Sequence, residues 1–243
     1  MKRLHTYSQH FLRSPKLVRD LINLTSIKRT DTVYDIGAGS GIISSVLARH
    51  CQQVIAVEAE PGALKLLEKN LASYKNITIK RGDFLDMTLP SEPYKVFSNI
   101  PFHISSDIVQ KLVSSPNPPA AAYLIVQKQF AGRLLSDRPG SSSQLGMMIG
   151  PSFSTKVIRN LKRTDFLPNP NVDTVLLEIK QRDKPLLPES SLASYKKLIE
   201  KSFNSPGYFA TLPLNIVSRE ASVKPSDLTL TQWLVLLQAA TRK

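Results

Sequence analysis

The sequence predicts an α/β fold, a mainly parallel sheet with helices on both faces, followed by a small helical lobe at the C-terminus. Three observations predict it. Short β-rich runs alternate with stretches whose apolar residues recur at helical spacing, a glycine-rich turn follows the first run, and the last two runs are joined without a helix between them. With 243 residues the chain is long enough to bury one full α/β core and still supply an appendage.

The elements follow in order. Pro15 suits a first helical turn, and Leu17, Leu21 and Leu24 recur at helical spacing, so a helix is expected over 15–27, within an N-terminal extension of residues 1–30. Thr32–Ile36 is the first strand, 42–50 is helical, 53–57 is the second strand, and 63–72 carries Leu64, Leu67 and Leu71 on one helical face. Further strands are expected at 77–80, 95–98, 122–126, 154–159 and 172–179, with helices at 105–113 and 128–136. Only residues 160–171, with Pro168 and Pro170, join the last two strands, which reads as an antiparallel hairpin. Seven strands ending in this way have the topology of the Rossmann-like class I methyltransferase fold. A Pro-bearing stretch at 183–189 then separates a core of residues 1–182 from a lobe of residues 183–243, with helices expected at 191–203 and about 225–240.

Charge narrows the partners. Against 19 Asp and Glu stand 32 Lys and Arg, a formal charge of +13 that draws polyanions, so nucleic acid is the expected partner. Cys51 is the only cysteine, which excludes an intrachain disulfide and a multi-cysteine zinc site; no metal is expected. The N-terminus lacks an apolar signal region and no apolar stretch reaches a membrane span, so the expectation is a cytoplasmic protein that avoids membranes and acts as a monomer.

The first strand runs into Gly37-Ala38-Gly39-Ser40-Gly41 and then a helix, which puts a glycine-rich turn at a strand carboxyl end, where such sheets bind ligands. That pattern alone also serves dinucleotide enzymes. Three later positions sharpen it. Glu58 ends the second strand, where a carboxylate accepts from both hydroxyls of a ribose. Asp83, in R-G-D-F after the third strand, is placed to accept from an exocyclic adenine amine. Asn99-Ile100-Pro101-Phe102 ends the fourth strand, an element that an amine methyltransferase needs and a nicotinamide enzyme does not.

Taken together, these residues resemble the rRNA adenine dimethyltransferase family, which includes the erythromycin-resistance methylases and the small-subunit dimethyladenosine transferases. The similarity runs through residues 7–182: Y-S-Q-H-F-L at 7–12, D-I-G-A-G-S-G at 35–41, V-E at 57–58, G-D at 82–83, N-I-P-F-H-I-S-S at 99–106 and F-L-P-N-P-N-V-D at 166–173. The resemblance implies S-adenosyl-L-methionine as cofactor. Gln9 and Leu12 are then expected by its methionine part, Gly37 and Gly39 beneath it, Glu58 on its ribose and Asp83 on its adenine, with Asn99 counted on both the cofactor and the catalytic side.

The exocyclic amine of adenine is a poor nucleophile because its lone pair is delocalised into the ring. The side-chain carbonyl of Asn99 and the backbone carbonyl of Ile100, held by Pro101, are expected to accept the amine protons and aim the lone pair at the methyl group, so catalysis is mainly positioning. A base flipped out of an RNA stack needs an aromatic face. Phe102 is the obvious platform, and the family pattern makes Phe166 the opposite wall. His103 is left out of the catalytic set.

N-I-P-F followed by H-I-S-S looks closer to the resistance methylases than to the small-subunit enzymes. The resemblance therefore favours an adenine of 23S rRNA as substrate, with resistance to macrolides, lincosamides and streptogramin B as the outcome. A 16S rRNA dimethyltransferase is the alternative, and a non-catalytic nucleic-acid-binding factor on the same fold is an alternative of another class. Where many relatives open the C-terminal lobe with a polar, basic run, this chain has S-F-N-S-P-G-Y-F-A-T-L at 202–212. RNA contact is therefore expected to lean on Arg3, Arg13, Lys16, Lys128, Arg133, Lys162 and Arg163.

Overall fold

A computed structural model describes residues 11–135, 140, 142–220 and 222–241. In chain order the elements are β1 (Phe11–Leu12), α1 (Pro15–Ile22), β2 (Thr32–Ile36), α2 (Ile42–Leu47), β3 (Gln53–Glu58), α3 (Pro61–Leu71), β4 (Ile77–Arg81), β5 (Lys95–Asn99), α4 (Ser105–Ser114), β6 (Ala121–Gln127), α5 (Lys128–Leu134), α6 (Gln144–Ile149), β7 (Phe153–Leu161), β8 (Phe166–Leu167), β9 (Thr174–Gln181), α7 (Glu189–Asn204), α8 (Pro206–Ala210) and α9 (Leu230–Thr241).

Seven strands form one sheet in the order β4-β3-β2-β5-β6-β9-β7, while β1 and β8 pair separately. β4, β3, β2, β5 and β6 run parallel, and β9 lies antiparallel to β6. The expected α/β class with a seven-stranded, mostly parallel sheet holds. Strand composition follows position. β6 sits mid-sheet, and its run from Ala121 to Val126 is buried on both faces, whereas β4 at the edge alternates half-buried Ile77 and Ile79 with exposed residues. The chain order reverses between β2 and β5, so the carboxyl ends of these two strands flank the crevice where doubly wound sheets bind ligands.

Two expected helices end differently. α1 stops at Ile22 because the Thr25 hydroxyl donates to the Ile22 carbonyl at 2.6 Å, closing a turn that leaves Leu24 48% exposed. The pattern at 225–240 is interrupted: Pro225–Asp227 is a 3-10 turn, and α9 begins only after Thr229, whose amide donates to Gln232 Oε1 at 2.7 Å. α6 carries no sequence expectation, because six residues are too few to display a helical period.

Two compact units are present. The first holds the described part of Met1–Lys128 with Val157–Lys180; the second holds Gln129–Lys156 and Gln181–Lys243. Residues 129–156 thus lie with the C-terminal segment, and Met147 of α6 packs in the same core as Tyr195, Leu198, Ile199, Phe209 and Trp233. The Tyr195 hydroxyl donates to the Met147 carbonyl at 2.9 Å. This core explains the unusual 202–212 segment. Phe203 stacks on Trp233 with ring centroids 6.2 Å apart and Phe209 tilts against it at 5.8 Å, so the segment is apolar because it fills the lobe. Among the described residues no helix is long and apolar enough to cross a membrane.

Candidate active site

The glycine turn is built for close approach. Gly37 and Gly41 have φ of 70° and 90°, in the left-handed region that side chains disfavour. A Cβ on Gly41 would lie 2.9 Å from Leu67 Cδ1 of α3, and one on Gly37 would lie 3.4 Å from Pro101 Cδ. The turn is also tied to the next strand: the amides of Gly37 and Ala38 donate to the Val57 carbonyl at 2.9 and 3.0 Å. Behind it, the fully buried Asp35 accepts from the Ser44 hydroxyl at 2.6 Å, and burial pushes its pKa up to about 7.

The carboxylates stand at successive strand ends. Glu58 is buried at the end of β3; Oε2 accepts from the Gly39 amide at 2.7 Å, and Oε1 from the amides of Ala59 and Glu60 at 3.0 and 2.8 Å. It therefore holds the glycine turn, and its two oxygens retain acceptor capacity beyond these three bonds. Glu60 caps α3 by accepting from Gly62 and Ala63, hydrogen bonds that hold its pKa below the usual carboxylate range. Asp83 is exposed beyond β4 and accepts from the Leu85 amide at 2.8 Å, while the preceding Gly82 amide donates to the Glu58 carbonyl at 2.9 Å. A cavity of about 640 Å³ opens beside the turn on Leu12, Ser40, Glu60 and Ala63, a volume suited to a small-molecule ligand.

Asn99 ends β5, paired in register with Ile125 of β6. Ser98, just before it, is buried and accepts from the Ile36 amide at 2.7 Å. That side chain bridges β2 and β5 beyond their last backbone pair, Tyr34 with Val96, at the ends that flank the crevice. Nothing in the sequence reading singled it out; its signal was a serine following the apolar pair Val96-Phe97 of β5. Ile100 is buried, Pro101 and Phe102 are half-buried, and the Ser105 hydroxyl donates to the Pro101 carbonyl at 3.2 Å, closing the 3-10 turn Phe102–Ile104.

Phe166, expected as the second wall of a base pocket, is placed otherwise. It is fully buried and packs in one core cluster with Leu12, Leu21 and Phe97, so its ring fills the core. The reason is the β1–β8 ribbon, which pairs Leu12 with Phe166 and turns both side chains into that cluster. Leu12 thereby touches both the core and the cavity beside the turn. Gln9 and Arg3 lie outside the described residues.

The family model described as "Ribosomal RNA adenine dimethylase" matches residues 2–208. The chain belongs to the ribosomal RNA adenine dimethylase family. It is 31% identical over 176 residues to an rRNA adenine N-6-methyltransferase of Lysinibacillus sphaericus, covering 72% of this chain and 70% of that one. A ribosomal RNA small subunit methyltransferase A of Acaryochloris marina is 27% identical, covering 95% and 94%. Among solved structures, the 23S rRNA methyltransferase ErmE superposes with a TM-score of 0.82 at 26% identity, covering 94% of this chain and 98% of that one. The expectation of an rRNA adenine methyltransferase enzyme stands with the family.

The basic residues expected to touch RNA differ in what they face. Lys16, Lys128, Arg133 and Lys162 are exposed. Arg163 is exposed but pairs with Asp173 at 3.0 Å, a surface ion pair that leaves it only partly available to a phosphate. Arg13 is exposed as well, but its guanidinium is engaged by the family's F-L-P-N-P turn, donating from Nε to the Phe166 carbonyl at 2.7 Å and from Nη2 to Asn169 Oδ1 at 3.3 Å.

Proposed function

We propose that the protein transfers a methyl group from S-adenosyl-L-methionine to the exocyclic N6 amine of an adenine in 23S rRNA, conferring resistance to macrolides, lincosamides and streptogramin B. The observation that carries this reading is the nearness of Gly37 to Pro101 across the β2–β5 switch point, where a Cβ on Gly37 would meet Pro101 Cδ at 3.4 Å. It brings a cofactor-type glycine turn and the amine-binding N-I-P-F motif to one edge.

The residues fit the cofactor. The turn offers bare backbone at Gly37, whose φ of 70° disfavours a side chain, and Glu58 and Asp83 stand at successive strand ends to meet a ribose diol and an adenine amine. Leu12, at the cavity beside the turn, borders the methionine part. The cofactor, when bound, supplies an electrophilic methyl group.

Asn99 Oδ1 and the Ile100 carbonyl accept the protons of the target amine and turn its lone pair toward that methyl. Pro101 fixes the second carbonyl. Phe102, half-buried at the mouth, stacks on the flipped base and returns about 1–3 kcal/mol of the unstacking energy. With Phe166 in the core, Phe102 is the stacking face. Lys16, Lys128, Arg133 and Lys162 supply phosphate contacts, and the monomer is the working unit.

The 23S target is supported by the N-I-P-F-H sequence and by the likeness to ErmE over nearly the whole chain. The small-subunit relative, aligned over a similar span, supports 16S rRNA as the second reading. Two measurements test the proposal. The cofactor should raise the melting temperature, which a purely nucleic-acid-binding factor would not show. Expression in a macrolide-sensitive bacterium should raise the inhibitory concentration of a macrolide, a lincosamide and streptogramin B together, and an unchanged concentration contradicts the resistance role.

A further inference from the structure

We propose that Arg13 is a positioning residue: it locks the strand that carries Leu12 to the F-L-P-N-P turn, and so fixes the wall of the cavity beside the glycine turn. The inference rests on the methyl-transfer reading above for its kinetic consequence, though not for its structural one.

β1 and β8 are two residues each, pairing Phe11 with Leu167 and Leu12 with Phe166. A ribbon that short does not hold itself in water. Arg13 extends it by three bonds: its amide donates to the Asp165 carbonyl at 2.9 Å, Nε to the Phe166 carbonyl at 2.7 Å and Nη2 to Asn169 Oδ1 at 3.3 Å. The guanidinium is a rigid fork, so two acceptors on either side of Leu167-Pro168 are held at one spacing. Leu12 and Phe166, one on each strand of the ribbon, meet in the same core cluster. Leu12, Arg13 and Leu167 all border the cavity beside the glycine turn, so a slip of the ribbon displaces the wall of the cofactor side. The composition reading of Arg13 as a phosphate contact and this geometry make opposite predictions.

The test compares R13A, R13K, N169A and the R13A/N169A double variant in the full chain. Each is measured for kcat and KM with rRNA, for the salt dependence of RNA binding, and for hydrogen exchange of the residue-13 amide. A clamp predicts that R13A lowers kcat roughly tenfold or more, since a misplacement of about 1 Å at a reacting centre costs up to ~100-fold. KM for RNA and the salt slope should stay unchanged, and the residue-13 amide should lose protection. R13K should recover part of kcat, N169A should lose less than R13A in the same direction, and the double variant should be no worse than R13A.

A salt slope shallower by about 0.7 with unchanged kcat at saturating RNA identifies a phosphate contact and overturns the proposal. Unchanged amide protection in R13A and N169A also overturns it. If R13A does not fold, N169A carries the test, and wild-type kcat and protection in that variant count against the clamp. If the wild-type protein methylates no rRNA, the functional reading fails, while the exchange measurement still decides whether Arg13 holds the ribbon.

Discussion

Replacing Asp35 with asparagine should remove a pH-dependent loss of stability that the wild-type chain carries. Asp35 is fully buried; burial pushes its pKa from 3.8 up to about 7, the hydrogen bond from Ser44 opposes the rise, and the charge of Glu58 adds to it. The folded chain therefore keeps this proton to higher pH than the unfolded chain does. Between pH 3.8 and about 7 the unfolded state binds fewer protons, so stability falls as pH rises through that window and levels off above it. The gap corresponds to about 4 kcal/mol in order of magnitude. The side-chain amide of the Asp35→Asn variant cannot ionise, so that protein escapes the loss. Asp35 Oδ1 has no hydrogen-bond partner among the described residues, so the amide nitrogen of the variant adds a penalty of about 1–3 kcal/mol that is the same at every pH. Urea denaturation of both proteins without cofactor, in half-unit steps from pH 4 to 8, separates the two terms. The stability difference should shift in the variant's favour by several kcal/mol up to pH 7 and then stay flat. Parallel curves would refute the buried-carboxyl reasoning.

Three further changes probe the crevice. Asn99→Ala should abolish methyl transfer while cofactor affinity, measured by calorimetry, is largely retained; turnover above a tenth of wild type would sink its role at the amine. Phe102→Ala should slow transfer by roughly 5- to 150-fold, the equivalent of about 1–3 kcal/mol of lost stacking, and a loss as complete as that of Asn99→Ala would mean that the ring does more than stack. Ser98→Ala leaves the buried Ile36 amide without its 2.7 Å acceptor and should lower stability by about 1–3 kcal/mol in denaturant titration, and a melting curve identical to wild type would remove Ser98 from the β2–β5 junction.

The parts of the site that were legible in the sequence share a property: residue chemistry and local geometry demand the same thing. Glycines that must take positive φ at a strand end, Glu58 closing the next strand and Asn99 closing the fourth sit in the structure where periodicity puts them. What stayed hidden depends on pairing between distant segments. A strand of two residues has no period, so β1 and β8 left no trace, and without that ribbon the family pattern alone made Phe166 the opposite wall of a base pocket. Arg13 and Arg163 counted equally toward the basic surplus, yet one reaches across 153 residues to the Phe166 carbonyl and the other pairs with Asp173. Charge composition records how many cations there are and nothing of what each one faces. The apolar 202–212 segment was legible as a departure from the family pattern, and its reason appears only when Phe203 and Phe209 meet Trp233.

Incubating the protein with methyl-labelled S-adenosyl-L-methionine and separate 23S and 16S rRNA transcripts, then mapping the modified base by primer extension, tests methyl transfer to 23S rRNA most directly. Label in 23S rRNA, on the N6 amine of an adenine and lost in the Asn99→Ala variant, is the expected result; label in 16S rRNA alone contradicts the 23S target, and label in neither contradicts the proposed transfer.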